Sequence, residues 1–258
     1  MAVPLLSSDC RNTSVDEDWV DEMMKIRQSP PPVHTRTFLH IMRSANDMFD
    51  PGALDRLIPR ARGRAPVPTP VTQEAKGPDP LDPVAATEAI AYDFLSKGGK
   101  HSRPFLTLAA YDALTGDEGT LPGGAAHLAR IPDSVRRTAL AIEIFHKASL
   151  VHDDVEDDDD YRYGNLTLHR KYGIATAVNV GDYLIGMGYR MVTREAANLG
   201  PDVASDILDR LADAHTKLAE GQGAELMWRD SPQKVLTPLD ALKIYTLKTA
   251  PAFEVALY

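Results

Sequence analysis

The sequence is short of several features that define common classes of protein. One cysteine, Cys10, stands among 258 residues, so a disulfide framework is excluded and a reducing, cytoplasmic compartment is expected. Basic residues number 28 against 37 acidic ones, and the net charge of −9 argues against a general nucleic-acid-binding protein. No stretch approaches the roughly 18 uninterrupted apolar residues of a membrane span. The N-terminus MAVPLLSSDC also lacks the basic start and apolar run of a secretory signal.

Proline is unevenly distributed and divides the chain into two predicted parts. Twelve of the 19 prolines precede residue 84. Residues 1–83 are predicted to be an N-terminal extension in which two short helices, Asp16–Arg27 and Thr37–Phe49, precede a basic patch and an extended linker. The basic patch, Arg56–Arg64, is interpreted as a solvated edge of that linker rather than as a binding site for an acidic partner.

Residues 84–258 show helical periodicity, and no segment of useful length alternates as a strand does. The predicted helices are Val84–Ser96, Pro104–Leu114, Asp133–Asp154, Ile174–Leu199, Pro201–Arg229 and Pro238–Tyr258, with a Gly- and Pro-rich loop at Gly116–Pro132. Hydrophobic residues make up 43% of the chain and charged residues 25%, which suits a soluble protein. The fold class predicted for this part is an all-α bundle of long helices joined by short loops.

The stretch LVHDDVEDDDDYRYG places an unusual concentration of acids at a helix end. Seven of the eight residues from Asp153 to Asp160 are acidic, and they follow an apolar helical segment. A helix C-terminus already carries partial negative charge, so the cluster is locally unfavourable unless positive charge comes to it. His146, Asp153 and Asp157 fall on one helical stripe, where carboxylates one turn apart suit Mg²⁺ bridging a phosphorylated ligand. On these residues alone a solvated acidic helix end stays an open alternative.

Two further stretches offer positive charge to an anion. In SKGGKHSRP, a glycine-rich turn before a helix carries Lys100 and Arg103, a point charge and a fork that both suit phosphate oxygens. In YTLKTA, Lys248 lies within an apolar helix, where it requires either an anion or access to water.

Together these motifs resemble those of the trans-isoprenyl diphosphate (polyprenyl) synthases. The segments GGKHSRP, FHKASLVHDDVEDDDDYRYG, NVGDYL, EGQGAEL and YTLKT occur in the order and at the spacing of that family, over roughly residues 84–258. The resemblance implies an isoprenoid-synthase-type bundle of long, mostly antiparallel helices around a central cavity. It also implies a homodimer.

The resemblance assigns roles to individual positions. Lys100, Arg103 and His146 match the residues that bind isopentenyl diphosphate. The first aspartate-rich motif matches Asp153, Asp154 and Asp157, which would hold Mg²⁺ on the allylic prenyl diphosphate, and Asp158–Asp160 are then solvated or peripheral. Arg162 and Lys248 match contacts to the allylic diphosphate, and Gln222 and Glu225 match a helix that lines the cavity. Tyr163 departs from the pattern, since the family has a second arginine there.

The implied reaction is the ionisation of an allylic diphosphate and its condensation with isopentenyl diphosphate to give a longer trans-prenyl diphosphate. Product length would depend on how deep the tail can run along the helix before the aspartate motif. Ala148 and Ser149 are small, and bulky Phe145 would close the cavity about one turn (~5.4 Å) deeper. These positions favour a geranylgeranyl product.

The family's second aspartate-rich motif is not found in the sequence. The last third of the expected fold is therefore expected to be missing, and this polypeptide alone is expected to be weakly active or inactive. Two alternatives to a prenyltransferase stay open. A class I terpene cyclase shares the fold and an aspartate motif, and Tyr163 mildly favours it. A non-catalytic partner subunit, or a fragment of a synthase, would suit the missing motif.

Overall fold

The computed structural model describes residues 33–70, 82–232, 235 and 237–258, and within these ranges nearly all regular structure is helical. This confirms the predicted all-α fold. The helices are α1 Val33–Asp47, α2 Pro51–Leu57, α3 Ala86–Leu95, α4 Ser102–Leu114, α5 Gly124–Leu128, α6 Asp133–Glu156, α7 Leu168–Tyr172, α8 Ile174–Arg194, α9 Ala196–Leu199, α10 Pro201–Asp230 and α11 Pro238–Leu257. A 3₁₀ turn at Glu118–Thr120 and a pair of two-residue strands, β1 Tyr161–Arg162 and β2 Asn165–Leu166, complete the described elements.

Helix α6 is the centre of the molecule. It packs most extensively against α8 and also meets α4, α10 and α11, while α10 pairs along its length with α11. Its buried residues occupy every side of the helix, which is the pattern of a helix surrounded by others. The fully buried apolar ones are Ala139, Leu140, Ala141 and Ile144, followed by Ala148. The acidic C-terminal end of α6 is therefore held at a fixed place among four neighbouring helices.

The long predicted helices after residue 84 are confirmed, with ends shifted by a few residues. Helix α1 corresponds to the predicted Thr37–Phe49, and the predicted Asp16–Arg27 lies outside the described residues. The predicted Ile174–Leu199 is broken at Glu195, whose carboxylate is buried and accepts hydrogen bonds from Arg137 and Asn198. The loop Gly116–Pro132 contains the 3₁₀ turn and short helix α5, because Leu128 is drawn into the core.

The elements that were not predicted include α2, the short helix α7 and the β1–β2 hairpin. Helix α2 begins with Pro51 after Asp50, whose side chain accepts a hydrogen bond from the backbone N–H of Gly52. The β1–β2 hairpin turns at Tyr163 and Gly164, with φ of 52° and 73°. Two successive positive φ values are what a two-residue hairpin requires, but a tyrosine is an uncommon choice for one of them.

The domain boundary at residue 84 stays a prediction. The hydrophobic core nevertheless includes residues that precede it. Helices α1 and α2 and the turn between them contribute buried apolar residues to the same cluster that α3–α11 build, among them Ile41, Met48, Phe49, Leu54 and Leu57. The described part of the N-terminal extension is thus packed onto the bundle. None of the helices in the described ranges is both long and apolar enough to cross a membrane.

The chain after α2 is tied down by a buried acid on α3. Glu88, which is 5% exposed, accepts hydrogen bonds from the backbone N–H groups of Ala61 and Arg62 and from the hydroxyl of Tyr183. Arg60 lies over the ring of Tyr92 at 4.0 Å. Part of the basic patch is therefore packed rather than solvated, because its backbone donors find a buried carboxylate.

Glu88→Ala should destabilise the fold by about 2–4 kcal/mol, since it leaves two backbone donors and a hydroxyl without their charged acceptor. The measurement is urea unfolding followed by circular dichroism. Asp93→Ala on the same helix is the matched control, because Asp93 pairs with exposed Lys97 and should cost less than about 1 kcal/mol. Equal losses in the two variants would refute the anchoring role of Glu88.

Candidate active site

A cation reaches each of the three predicted metal-binding aspartates. Lys248 Nζ on α11 lies 3.3 Å from Oδ1 of Asp153 and 2.9 Å from Oε2 of Glu225. Arg162 in β1 donates from Nε to Oδ1 of Asp154 at 2.8 Å, and its Nη2 contacts the same oxygen. Arg229 on α10 donates to Oδ1 of Asp157 at 2.7 Å. The unfavourable charge at the end of α6 is thus met by positive side chains from three separate elements.

The remaining acids of the run lie at the surface. Asp158 and Asp160 pair with Arg170 at 2.9 and 2.8 Å, and Asp159 lies 3.4 Å from Arg162. All three are exposed. Their positions agree with the solvated role expected for them.

Burial and ion pairing act in opposite directions on these groups. Burial raises the pKa of the Asp153 carboxyl, and nearby Lys248 opposes that rise. Burial lowers the pKa of Lys248, but its contacts with Glu225 and Asp153 outweigh burial, so the pKa is raised overall. Burial likewise raises the pKa of Asp154 against the effect of Arg162. The cation beside each of these carboxylates therefore opposes the effect of burial on its pKa.

Close packing of α10 on α11 brings Lys248 to the acids. A Cβ atom at Gly221 would overlap the backbone of Leu247 and Lys248, so only glycine lets the two helices approach this closely. Pro251 sits within α11 without breaking it. Gly221, the first glycine of EGQGAEL, therefore has a packing role, and the close approach that it permits lets Lys248 reach Asp153.

Arg103, His146, Asp153 and Lys248 share one cavity of about 330 Å³ between α4, α6, α10 and α11. Its other lining residues are Ser149, Leu150, His152, Glu156, His215, Leu218, Ala219, Gln222, Gly223, Leu226 and Thr249. Within the described residues, Arg103 Nε and both amide atoms of Gln222 are buried without a hydrogen-bond partner. Such donors and acceptors on a cavity wall are available to a polar ligand or to water. Four residues predicted from three motifs are thus brought together.

Lys100 is placed differently from the other predicted cations. It is exposed and does not line the cavity. The loop that carries it is fixed by a lysine that was not predicted: Lys147 on α6 is fully buried and donates to the carbonyls of Lys97 and Gly98 at 2.6 and 2.8 Å. The carbonyl of Leu95, at the end of α3, lies 3.3 Å from the same ammonium. Lys147 thus joins the glycine-rich loop to the central helix.

Tyr163 packs against that loop. Its ring lies so close to Gly98 that any side chain at Gly98 would overlap it, and Lys147 Nζ lies 5.0 Å from the ring centroid. Tyr163 does not line the cavity. Tyr163 therefore makes a packing contact at the position where the family pattern has a second arginine.

A smaller apolar cavity of about 30 Å³ continues beneath the polar one and shares His146, Ser149, His215 and Leu218 with it. Phe145 lines it, with its ring 4.7 Å from that of Tyr189 in a T-shaped contact. Of the three positions predicted to set product length, Phe145 and Ser149 face this space. Ala148 is fully buried and lines neither cavity, because it projects into the core rather than toward α10.

The donor set fits a hard divalent cation. Asp153 and Asp157 lie one turn apart at the end of α6, and carboxylate oxygens are what Mg²⁺ prefers. In the described ranges, no three His, Cys, Asp or Glu side chains already converge as a metal site. The aspartates are instead occupied by Lys248, Arg162 and Arg229, so a metal ion would have to replace those contacts.

Several residues at the site carried no sequence signal. His152, Glu156 and His215 line the cavity, and burial lowers the pKa of His215, with His152 as a second cause. Glu143, 2% exposed, lies beside Arg103 and Lys147, and its pKa is raised by burial against those two cations. His215 and Glu143 lie outside the motifs quoted above, whereas His152 and Glu156 lie within the aspartate-rich segment but were given no role there.

Comparison with known proteins places this arrangement in a family. Residues 84–258 match the family model described as polyprenyl synthetase. The chain belongs to the polyprenyl synthetase family. The chain is 32% identical over 167 residues to the octaprenyl diphosphate synthase of Escherichia coli, an alignment covering 65% of this chain and 45% of that protein. It spans about half the length of the curated relatives it matches.

Solved structures show the same fold. An FPP/GFPP synthase from Zymomonas mobilis superposes with a TM-score of 0.63 at 24% identity, over 87% of this chain and 68% of that one. A polyprenyl synthase from Caulobacter crescentus, in complex with calcium and isoprenyl diphosphate, gives a TM-score of 0.59 at 26% identity, over 85% of this chain and 54% of that one. The resemblance found in the motifs is thereby confirmed at the level of family and fold.

His146 should make stability fall in acid. Burial, then Arg103 and Lys147, lower its pKa to about 3, so the folded state keeps the imidazole neutral while the unfolded state protonates below its ordinary pKa of 6.5. The unfolded state then binds more protons, and the free energy of unfolding falls as pH decreases through 6.5. Relative to His146→Gln, the wild-type protein should lose about 1 kcal/mol between pH 7.5 and 5.5.

Urea unfolding at the two pH values measures this difference. His40→Gln, which removes an exposed imidazole, is the control and should follow the wild type. A pH dependence that is identical in the His146→Gln variant would contradict the assignment of a buried, neutral His146.

Proposed function

We propose that this chain carries the substrate site of a Mg²⁺-dependent trans-prenyltransferase that condenses isopentenyl diphosphate with an allylic prenyl diphosphate. The observation that carries the proposal is that Arg103, His146, Asp153 and Lys248 line one cavity, which lies above the smaller apolar cavity. A diphosphate with a hydrocarbon tail needs this combination of cations and apolar walls. Membership of the polyprenyl synthetase family and the isoprenyl diphosphate bound by the Caulobacter relative support it.

The side chains proposed to bind diphosphate divide into two groups. Lys248 and Arg162, which hold Asp153 and Asp154, are proposed to bind the diphosphate of the allylic substrate. Arg103 and His146, with exposed Lys100 on the loop fixed by Lys147, are proposed to bind isopentenyl diphosphate. Mg²⁺ held by Asp153 and Asp157, with Asp154 as a further candidate ligand, would neutralise the diphosphate charge when bound.

The chemistry then depends on where charge develops. In the allylic substrate, the bond between C1 and the diphosphate oxygen breaks and leaves a carbocation at C1. The diphosphate leaves with the electron pair, and Lys248 and Arg162 stabilise its negative charge. The double bond of isopentenyl diphosphate attacks C1 to form the new carbon–carbon bond, and loss of a proton to the released diphosphate restores a neutral chain. The apolar residues Leu150, Leu218 and Leu226 on the cavity wall keep water away from the carbocation at C1.

We propose that the smaller apolar cavity limits the length of the product's hydrocarbon tail. Phe145 closes the small apolar cavity beneath Ser149, and Gly188 on α8 is packed against the phenylalanine ring. The names of the relatives span octaprenyl and FPP/GFPP products, so they do not fix the length. A geranylgeranyl product is proposed from Phe145 alone.

A homodimer is proposed from the family resemblance. Ile174 and Val178 lie one turn apart on α8 and are 62% and 39% exposed, which gives an apolar stripe that a second copy would cover. Light scattering of the purified protein measures the mass directly.

Lys248→Ala should lower kcat by about 10²-fold or more, because it removes a cation from the leaving diphosphate. Arg103→Ala should mainly raise KM for isopentenyl diphosphate. Lys243→Ala is the matched control, since Lys243 lies on the same helix with a 67% exposed side chain. The assay supplies Mg²⁺, labelled isopentenyl diphosphate and dimethylallyl, geranyl or farnesyl diphosphate, with products identified by mass.

The products decide between the functions. Elongated prenyl diphosphates that depend on Lys248 support the transferase. Cyclic hydrocarbons from an allylic diphosphate alone would assign the chain to the cyclases, which the uncharged Tyr163 at its packed position would suit. No turnover of either kind would favour a partner subunit or a fragment.

Phe145→Ala should lengthen the main product by at least one isoprene unit, because it opens the floor of the smaller apolar cavity. Mass spectrometry of the prenyl diphosphates reports the length. Phe105→Ala removes a comparable ring that packs on Phe38 away from that cavity, and its product should match the wild type. An unchanged product from Phe145→Ala would rule out this residue as the floor.

A further inference from the structure

Arg229 lies at the end of α10, outside the motifs that indicated the family. Its Nη1 donates to Oδ1 of Asp157 at 2.7 Å, and its Nη2 donates to the carbonyl oxygen of Glu156 at 3.0 Å. Asp157 is the residue that caps the C-terminus of α6. The guanidinium therefore supplies positive charge both to a carboxylate and to the negative end of the central helix.

A second cation is placed in the same way one turn earlier. Lys248 Nζ lies 3.3 Å from Asp153, so α10 and α11 bring two positive charges to two carboxylates spaced four residues apart. These two charges equal the charge of one divalent cation. An ion bound between Asp153 and Asp157 would meet both cations at close range, where like charges repel strongly. The metal ion and the two cations would therefore compete for these carboxylates.

We propose that Arg229 is an exchangeable counter-ion of the acidic site. It holds Asp157 until a divalent cation arrives with a diphosphate, and it then transfers its hydrogen bonds from the carboxylate to diphosphate oxygens. This inference rests on the proposed function, because it takes the ligand to be a diphosphate. The planar fork of a guanidinium fits carboxylate and phosphate oxygens equally well. The side chain is 41% exposed, which leaves it room to turn.

The exchange makes the two ligands depend on each other. Without diphosphate, Arg229 competes with the metal ion for Asp157. With diphosphate present, the displaced guanidinium of Arg229 binds the diphosphate oxygens. Arg229 then no longer competes with the metal ion and instead strengthens the binding of the diphosphate. Metal ion and diphosphate should therefore bind cooperatively, and part of that coupling should be lost with Arg229.

Calorimetry of the full chain tests this with Mn²⁺ as the metal probe and inorganic diphosphate as the anion. Arg229→Gln should bind Mn²⁺ alone about two- to fivefold more tightly than the wild type, since an exposed competing ion pair is gone. The same variant should bind diphosphate in the presence of Mn²⁺ about two- to fivefold more weakly. A purely structural role for Arg229 would weaken both.

Two further variants sharpen the test. Arg229→Lys keeps the charge but not the planar fork, so its affinities should lie between those of the wild type and of Arg229→Gln. Lys217→Gln removes one positive charge from the same helix, where Lys217 pairs with Asp213, and should change neither affinity. It lies twelve residues, or about 18 Å, along the helix from Arg229, beyond the ~8 Å screening length at physiological salt.

The outcomes separate the two proposals. If the wild type binds no diphosphate with Mn²⁺ present, the proposed function and this inference both fall. If the wild type binds both ligands cooperatively but Arg229→Gln leaves both affinities unchanged, or weakens both, only the role of Arg229 falls. If Arg229→Lys behaves like Arg229→Gln, the charge is not what matters and the inference is overturned.

Discussion

Carboxylates crowded at the negative end of a helix repel one another, and the rest of this structure depends on how that repulsion is relieved. Asp153, Asp154 and Asp157 are each paired with a cation, and the cations come from α11, from the β1–β2 hairpin and from α10. Each pair also fixes where one of those elements meets α6. The same contacts that make the acidic cluster tolerable therefore assemble the walls of the cavity around it.

Most of the helices could be predicted because an apolar stripe at helical spacing is a strong and local signal. The meeting of Arg103, His146, Asp153 and Lys248 could be predicted as well, but only through the family pattern, since nothing local says that positions so far apart in the chain converge. Lys147 shows what sequence reasoning misses. Its partners are backbone carbonyls about 50 residues earlier, and a carbonyl acceptor leaves no mark on the sequence.

Arg229 and Ala148 illustrate two other limits. The pair of Arg229 with Asp157 joins residues 72 positions apart at the ends of two helices, where either residue alone would pass for a solvated charge. Ala148 and Ser149 are neighbours one turn before Asp153, but successive residues of an α-helix are rotated by about 100°, so Ser149 faces the cavity and Ala148 the core. Spacing alone does not decide between neighbours.

The tie between Lys147 and the glycine-rich loop has a consequence for motion. Because Lys147 belongs to α6, its hydrogen bonds join the loop directly to the helix that carries the aspartates. Lys248 and Arg229 belong to α11 and α10, and they meet the aspartates through ion pairs. A displacement of these two helices relative to α6 would therefore separate Lys248 and Arg229 from the aspartates, while the glycine-rich loop would stay with α6.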